Sequence, residues 1–261
     1  MNTPLIIFGA AGRMGTILCT MADKSDNYTL AGVVDTAYAA QKPAWNCPAG
    51  ADLAEVVSKV TDPNTVIVDF SSPEASVGNA EIAAAHKVPL VIGTTGLSEN
   101  QKKRLAELAG RTQLFWSPNM SLGINVLLRV LPDLARLLGE DYDLEVMEIH
   151  HKLKKDSPSG TALRLAECLA EARNWRLDDT ACYHREGIIG ERPHKEIGVQ
   201  TLRGGDVVGV HTMYFMGPGE RIEVTHQAHS RENFAQGAFR AAAWLKKQIP
   251  GPLYSMTDLL K

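Results

Sequence analysis

A chain of 261 residues is long enough for one large domain or two modest ones, and we expect two. Hydrophobic residues make up 44% and charged residues 22% of it, the balance of a globular protein and not of a disordered chain. The 27 Lys and Arg against 30 Asp and Glu give a net charge of -3, which offers no electrostatic footprint for nucleic acid or an anionic membrane. A small-molecule partner is therefore favoured.

The cysteines and the apolar runs indicate the compartment. The first apolar run, residues 5–8, is too short for a signal-peptide core, and no later stretch approaches the ~20 apolar residues of a membrane span. We therefore expect a cytoplasmic protein. The cysteines lack the paired spacing of a metal site, so we interpret them as reduced structural thiols and expect no metal; they are Cys19, Cys47, Cys168 and Cys182.

Short apolar runs alternate with helical segments through the first half of the chain. The runs cover residues 5–8, 30–34, 66–68 and 90–92, and helices are predicted at 16–24, 73–87 and 98–109. This alternation is typical of βαβ units and predicts an α/β fold with a doubly wound parallel sheet.

The pattern changes after Asn125, where we predict a separate α+β region. A helix runs to about residue 138, a strand covers 144–149 and a second helix 159–173; three strands follow at 199–202, 207–215 and 221–226. The last long helix, 231–248, carries apolar residues at helical spacing, and we expect it to return and pack on the first sheet.

A glycine turn follows the first strand. Gly9, Gly12 and Gly15 are spaced three apart, a variant of the G-x-G-x-x-G dinucleotide fingerprint. Glycine permits a tight strand-to-helix turn and leaves helix N–H groups for a pyrophosphate, to which Arg13 would add a charged contact. Alone, the turn fits a purely structural role equally well.

Asp35 ends the second apolar run, 20 residues beyond Gly15, where an acid accepts the adenosine ribose hydroxyls. An ordinary strand-end aspartate is the alternative, but strand, glycines and acid in register favour a nicotinamide dinucleotide. Asp35 would repel a 2′-phosphate and Thr36 supplies no compensating charge, so we expect NADH to serve at least as well as NADPH.

The densest cluster of reactive side chains lies at residues 148–162. Neighbouring histidines on a strand point to opposite faces, so His150 and His151 serve one site only if the strand ends at or before them, and the polar run that follows indicates that it does. Gly160 and Thr161 resemble a helix start whose N–H groups would receive a carboxylate, although a plain helix cap is the alternative. Two interpretations of the lysines stay open: they bind an anion or donate a proton, or they form a solvated charged loop. These lysines are Lys152, Lys154 and Lys155.

Five motifs together resemble the 4-hydroxy-tetrahydrodipicolinate reductases, also called dihydrodipicolinate reductases, of bacterial lysine and diaminopimelate synthesis. The resemblance covers nearly the full length, and the last motif is the most specific. They are GAAGRMG at 9–15, DFSSPE at 69–74, GTTG at 93–96, SPNMSLGIN at 117–125 and the segment 148–162.

The resemblance implies the role of each site residue. His150 is the catalytic proton donor or acceptor and Lys154 the second proton donor, while His151, Gly160 and Thr161 hold a dicarboxylate substrate. The dinucleotide is held by Gly9, Ala10, Ala11, Gly12, Arg13 and Met14, with Asp35 on the ribose; around the nicotinamide lie Gly93, Thr94, Thr95, Ser117, Pro118, Asn119 and Met120.

The resemblance also implies the architecture and the reaction. A Rossmann-type dinucleotide-binding domain, residues 1–121 and 231–261, would carry an inserted α+β mixed-sheet domain, residues 122–230, which binds substrate and joins four subunits. Hinge motion would close the cleft between them. The reaction would be NAD(P)H-dependent reduction to tetrahydrodipicolinate; some members have Arg where this chain has Thr36, which argues against strong NADPH use.

Two other functions stay open from the residues. The first is another two-domain nicotinamide reductase acting on a semialdehyde or a sugar, against which the His-His-Lys segment argues. The second is a non-catalytic redox sensor that binds NADH without turnover, although the sequence shows neither a recognisable helix-turn-helix nor a basic arm.

Overall fold

The computed structural model describes residues 2–261. Its strands are β1 (Thr3–Phe8), β2 (Tyr28–Val34), β3 (Ala49–Gly50), β4 (Val66–Asp69), β5 (Leu90–Ile92), β6 (Leu114–Trp116), β7 (Asp143–His150), β8 (Ala181–Cys182), β9 (Ile197–Arg203), β10 (Gly209–Gly217), β11 (Glu220–Ala228) and β12 (Leu253–Tyr254). Its α-helices are α1 (Arg13–Asp23), α2 (Leu53–Lys59), α3 (Pro73–His86), α4 (Glu99–Ala109), α5 (Leu122–Leu138), α6 (Gly160–Ala172), α7 (Leu177–Thr180), α8 (Glu232–Leu245) and α9 (Met256–Leu259), and a 3-10 helix covers Thr36–Ala39.

The chain folds into two compact units. The first comprises the residues up to Leu122 together with Arg231–Lys261, and the second comprises Gly123–Ser230. The first unit is therefore built from both ends of the chain, and the second is inserted between them.

The first unit is a seven-stranded, all-parallel sheet in the order β12-β6-β5-β4-β1-β2-β3. The apolar run of β1 lies at its centre, where Leu5, Ile6 and Ile7 are fully buried, as expected for a parallel strand covered on both faces. Strand order reverses between β1 and β4, the position at which doubly wound sheets bind ligands. The predicted Rossmann-type fold is confirmed.

Helix α8 covers one face of this sheet, as predicted for the last long helix. Ala238, Phe239 and Leu245 share a buried apolar cluster with Ile7 of β1 and Phe115 of β6. The chain that follows α8 adds β12 beside β6 at the sheet edge. The C-terminal segment thus completes the first unit, although the helix is shorter than the predicted 231–248.

The second unit is built on a five-stranded mixed sheet in the order β11-β10-β7-β9-β8. Strand β7 is central, antiparallel to β10 and parallel to β9. Alternate residues of β7 face the core: Leu144 and Val146 pack in an apolar cluster with α5 and α6, and Glu148 and His150 continue the buried face. The predicted mixed-sheet region is confirmed, and its central strand ends at His150.

Several elements differ from the sequence prediction. Helix α1 begins at Arg13 and not at residue 16, because Gly12 takes the extended conformation of an N-cap. The short α2 and β6 were not predicted, since three to seven residues carry too little periodicity to be distinguished from a loop. Within residues 2–261 no helix is long and apolar enough to cross a bilayer, and no group of three or more His, Cys, Asp or Glu is placed to hold a metal ion.

Candidate active site

The glycine turn joins β1 to α1 in a conformation that only glycine allows. Gly9 has a φ of +74°, and a Cβ on Gly15 would lie 2.0 Å from the carbonyl oxygen of Gly9. The N-cap Gly12 carries no side chain to cap the helix, and no acidic residue lies in the first turn. The N–H groups that begin α1 are therefore left for an anionic ligand.

Asp35 is tied directly to this turn. One carboxylate oxygen accepts a hydrogen bond from the Ala11 N–H at 2.9 Å, and the other accepts one from the Ala37 N–H at 3.0 Å. The acid at the end of β2 and the turn at the end of β1 are thereby held together, as the sequence spacing indicated. Thr36 beside it is exposed and carries no charge.

The segments that follow β4 and β5, residues 70–76 and 93–96, are hydrogen-bonded to each other within the same unit. The Thr94 hydroxyl accepts hydrogen bonds from the Ser71 N–H at 3.1 Å and from the Ser76 hydroxyl at 2.8 Å. The Trp116 indole N–H donates to the Thr94 carbonyl at 3.1 Å, and the Ser117 hydroxyl donates to the Asn119 carbonyl at 2.8 Å. The structure thus ties Thr94 to Trp116 at the end of β6, and the Ser117–Asn119 bond closes the turn that follows this strand.

A dinucleotide fits this arrangement. At the glycine turn there is no Cβ to keep a ligand away from the backbone, and the N terminus of α1 is uncapped and open to a pyrophosphate. The Asp35 carboxylate, held by the Ala11 N–H, is available for the ribose. The residues that would hold it all belong to the first unit.

The second unit places His150 at the last position of β7, with Glu148 two residues earlier on the same face. The His150 Nδ1 lies 2.5 Å from a Glu148 carboxylate oxygen. Glu148 is fully buried and also accepts both terminal nitrogens of Arg203, at 2.8 and 2.9 Å, and the Ser159 N–H at 2.9 Å. His150 is therefore oriented by a carboxylate that is itself saturated with donors.

Burial and hydrogen bonding set the protonation of this group. Burial raises the pKa of Glu148, but the hydrogen bonds from Arg203, His150 and the Ser159 N–H outweigh it and bring that pKa down to about 2. Burial lowers the pKa of His150 from its ordinary 6.5, and the hydrogen bond and negative charge of Glu148, which raise that pKa, only partly offset this. At neutral pH the site thus holds an ionised Glu148 and a neutral His150.

The other predicted residues of this segment lie in the turn after β7. The His151 N–H donates to the Val207 carbonyl at 2.8 Å, which ends the strand, and the Lys154 N–H donates to the His151 carbonyl at 3.1 Å. The Lys154 ammonium pairs with Asp156 at 2.9 Å, and its charge contributes to lowering the pKa of His150. Lys154 therefore lies in the electrostatic environment of His150.

Gly160 and Thr161 form the first turn of α6, as predicted. Ser159 is the N-cap: its hydroxyl accepts from the Ala162 N–H at 3.1 Å while its own N–H donates to Glu148. The helix start is thus attached to β7 through the same carboxylate that orients His150.

Three residues of the site escaped the sequence analysis. Glu148 was included in the reactive segment without a role, and its i, i+2 spacing from His150 on a strand could have suggested one. Arg203 and His211 carry no local signal, because sheet pairing alone sets Arg203 against His150 and His211 against Glu148. The His211 ring packs edge-on to His150 with centroids 5.2 Å apart, and burial lowers its pKa to about 3.

Comparison with known proteins matches both units. Residues 3–120 match the family model described as dihydrodipicolinate reductase, N-terminus, and residues 123–260 match that of the C-terminus. The chain belongs to the dihydrodipicolinate reductase family. It is an oxidoreductase of NAD(P)H-dependent type, as predicted from the motifs.

Relatives named 4-hydroxy-tetrahydrodipicolinate reductase resemble the chain over its full length. That of Nitratidesulfovibrio vulgaris (strain DP4) is 64% identical over 260 residues, covering 99% of this chain and 100% of the relative. That of Oleidesulfovibrio alaskensis is 59% identical over 261 residues, covering 100% of each. The family assignment therefore applies to the whole chain.

Solved structures share the fold. A dipicolinate-bound dihydrodipicolinate reductase from Paenisporosarcina sp. TG-14 has a TM-score of 0.77 at 23% identity, covering 99% of both chains. The diaminopimelate dehydrogenase of C. glutamicum, in complex with diaminopimelate, has a TM-score of 0.56 at 16% identity, covering 100% of this chain and 96% of that one. At these identities the likeness supports the architecture alone.

Proposed function

We propose that this chain reduces 4-hydroxy-tetrahydrodipicolinate to tetrahydrodipicolinate with NAD(P)H, a step of lysine and diaminopimelate biosynthesis, using His150 and Lys154 for proton transfer. The observation that carries the proposal is the His150–Glu148 hydrogen bond at the end of β7, with Lys154 in the adjoining turn. A reductase of this family needs a cation and a proton donor beside the reacting ring. The Lys154 ammonium is the cation, and His150 becomes a proton donor when bound substrate raises its pKa.

The units divide the work. The unit built from both chain ends is the dinucleotide-binding domain, with the turn from Gly9 to Met14 on the pyrophosphate and Asp35 on the ribose. Residues 93–95 and 117–120 lie toward the nicotinamide side. The inserted unit binds the substrate.

The overall reaction fixes what the side chains must do. The 4-hydroxyl leaves as water together with a hydrogen of the adjacent ring carbon, and bound NAD(P)H would supply a hydride that the dehydrated ring takes up with one proton. Negative charge develops at the ring nitrogen, where the ammonium of Lys154 stabilises it and donates a proton.

His150 changes its protonation as the substrate binds. It is neutral in the free chain, with Nδ1–H donated to Glu148 and the Nε2 lone pair available. A bound dicarboxylate places negative charge nearby, which raises the pKa of His150 and allows Nε2 to take up and deliver a proton.

The substrate carboxylates are held by the N terminus of α6 and the turn after β7. Gly160 and Thr161 present the first N–H groups of that helix, and His151 adds a side-chain donor. Substrate binding would also separate Lys154 from Asp156, since the ammonium would then lie at the ring nitrogen.

Three further properties complete the proposal. NADH serves at least as well as NADPH, because Asp35 repels a 2′-phosphate and Thr36 supplies no cation. The enzyme works in the cytoplasm on a small dicarboxylate, and four copies associate through the inserted unit as a homotetramer.

The decisive test is oxidation of NADH and of NADPH with freshly generated substrate, for the wild type, His150→Gln and Lys154→Ala. We expect turnover with both cofactors, and loss of at least about 10²-fold in kcat in each variant. Cofactor binding without turnover would support a sensor instead, near-normal turnover in both variants would refute the catalytic assignment, and activity with NADPH alone would refute our interpretation of Asp35 and Thr36.

A further inference from the structure

Glu148 is a buried carboxylate with more hydrogen bonds than a structural role on a strand requires. It is fully buried and accepts from His150 Nδ1, from two Arg203 nitrogens and from the Ser159 N–H, and the Thr201 hydroxyl lies 3.3 Å away. Burial of a carboxylate is costly unless it is paired, and Arg203 supplies the pairing in the bidentate geometry that favours the ionised form.

An ionised carboxylate accepts hydrogen bonds and donates none. Because Glu148 is ionised, the neutral His150 must carry its proton on Nδ1, which leaves the lone pair on Nε2. The tautomer of His150 is thereby set by a fully buried residue. The same logic governs histidines whose outer nitrogen is held by a carboxylate in other enzymes.

The charged and titratable groups around His150 come from four segments. Glu148 lies on its own strand, Arg203 on β9 and His211 on β10, and Lys154 lies in the turn that follows. Arg203 and Lys154 disfavour a proton on His150, and His211 is neutral, so Glu148 is the negative charge that favours it.

Arg203 has a second contact that links this pair to the substrate turn. One of its terminal nitrogens donates at 2.7 Å to the backbone carbonyl of Asp156, the residue whose carboxylate pairs with Lys154. The Ser159 N–H on Glu148 ties in the start of α6 as well. The carboxylate thus contacts His150 and the start of α6 directly, and Arg203 connects it to the turn that carries Lys154.

We propose that Glu148 is a positioning residue of the reductase: held ionised by Arg203, it fixes His150 in the Nδ1–H tautomer and presents Nε2 to the substrate. This inference rests on the proposed function for the role of His150, but the tautomer itself is a property of the free protein.

The experiment is NMR of the wild type, Glu148→Gln and Glu148→Asp, each labelled with ¹⁵N-histidine, combined with pH profiles of kcat/KM. In the wild type at pH 8, His150 is expected to show a protonated Nδ1 and an unprotonated Nε2. Glutamine removes the charge and can donate its own N–H to Nδ1, so the tautomer reverses, kcat falls roughly 10²-fold and the His150 ionisation moves to lower pH. Aspartate keeps the charge, so Glu148→Asp is expected to restore part of the wild-type tautomer, of kcat and of the His150 ionisation. Circular dichroism and NADH affinity serve as measures of folding.

The outcomes separate the two proposals. An Nε2–H tautomer in the wild type, or a Gln variant with unchanged tautomer and pH profile, overturns the role of Glu148 whatever the activity. A wild type with the Nδ1–H tautomer but no reductase activity leaves that assignment standing and refutes the proposed function. Because the wild-type spectrum alone can overturn the inference, it does not depend on the variants folding.

Discussion

Gly209 of β10 lies beside the reactive edge of His150. A Cβ added to Gly209 would be 3.0 Å from His150 Nε2 and 3.4 Å from its Cδ2, closer than ordinary packing allows. The absence of a side chain at this position leaves space on the nitrogen that we assign to proton transfer. Glu148 binds one side of the ring, and Gly209 leaves the other side open.

Gly209→Ala is therefore expected to reduce kcat by roughly 10–100-fold, because the methyl group displaces the ring or obstructs Nε2. NADH binding should be unchanged, since the cofactor residues lie in the other unit. Steady-state kinetics and a fluorescence titration with NADH measure the two effects. Gly204→Ala is the matched control, because a Cβ there meets no atom within 4 Å; equal activity of the two variants would contradict the prediction.

Gly15→Ala tests the glycine turn. The added Cβ would lie 2.0 Å from the Gly9 carbonyl and 2.6 Å from the Ala10 Cα, so the turn must open and the first N–H groups of α1 move. We expect the dissociation constant of NADH to rise at least tenfold, about 1.4 kcal/mol. Calorimetric titration measures it, and Gly78→Ala on α3, where a Cβ meets nothing within 4 Å, is the control. Wild-type affinity in Gly15→Ala would show that the turn does not hold the cofactor.

Thr36→Arg tests the basis of cofactor choice. Thr36 is exposed and follows Asp35, so an arginine there can reach a 2′-phosphate by a charge-assisted hydrogen bond of roughly 1.5–3 kcal/mol. The ratio of kcat/KM for NADPH to that for NADH should rise about tenfold, and less at high salt. Thr36→Gln adds length without charge and should leave the ratio near the wild-type value; a similar rise in both variants would remove the electrostatic explanation.

The free energy of unfolding at acid pH should depend on the ionisation of Glu148. Its pKa is about 2 in the folded chain against an ordinary 4.5, so the folded state stays ionised where the unfolded chain takes up a proton. This stabilisation is complete above about pH 4.5 and is lost as the pH falls toward 2. The difference corresponds to roughly 3 kcal/mol in the free energy of unfolding.

Urea unfolding between pH 5 and pH 3 measures this contribution. The stability difference between the wild type and Glu148→Gln should narrow as the pH falls. Glu55→Gln, on an exposed residue of α2, is the control and should follow the wild type throughout. A constant difference between the wild type and Glu148→Gln would mean that the fold does not lower the pKa of Glu148.

The sequence by itself determined the features that are local along the chain. The buried run of β1, the glycine turn and Asp35 are recognisable because strand, turn and helix start follow one another within a few residues. The parallel sheet of the first unit and the helix start at Gly160 also followed from pattern. The mixed sheet of the second unit and the place of α8 in the first unit were implied by the family resemblance. Neighbouring histidines with a polar run after them predicted correctly where β7 ends.

Only the tertiary structure decided which side chains contact one another in the site. Arg203 reaches Glu148 across 55 residues of sequence, because β9 pairs with β7 in a register that sets Thr201 against Glu148. His211 and Gly209 arrive on the opposite neighbour, β10. Strand order and register depend on packing between distant segments, which local periodicity does not encode. The protonation of His150 depends on its burial and on the strand pairing that brings Arg203 to Glu148. It is therefore determined by the fold and cannot be predicted from the motif alone.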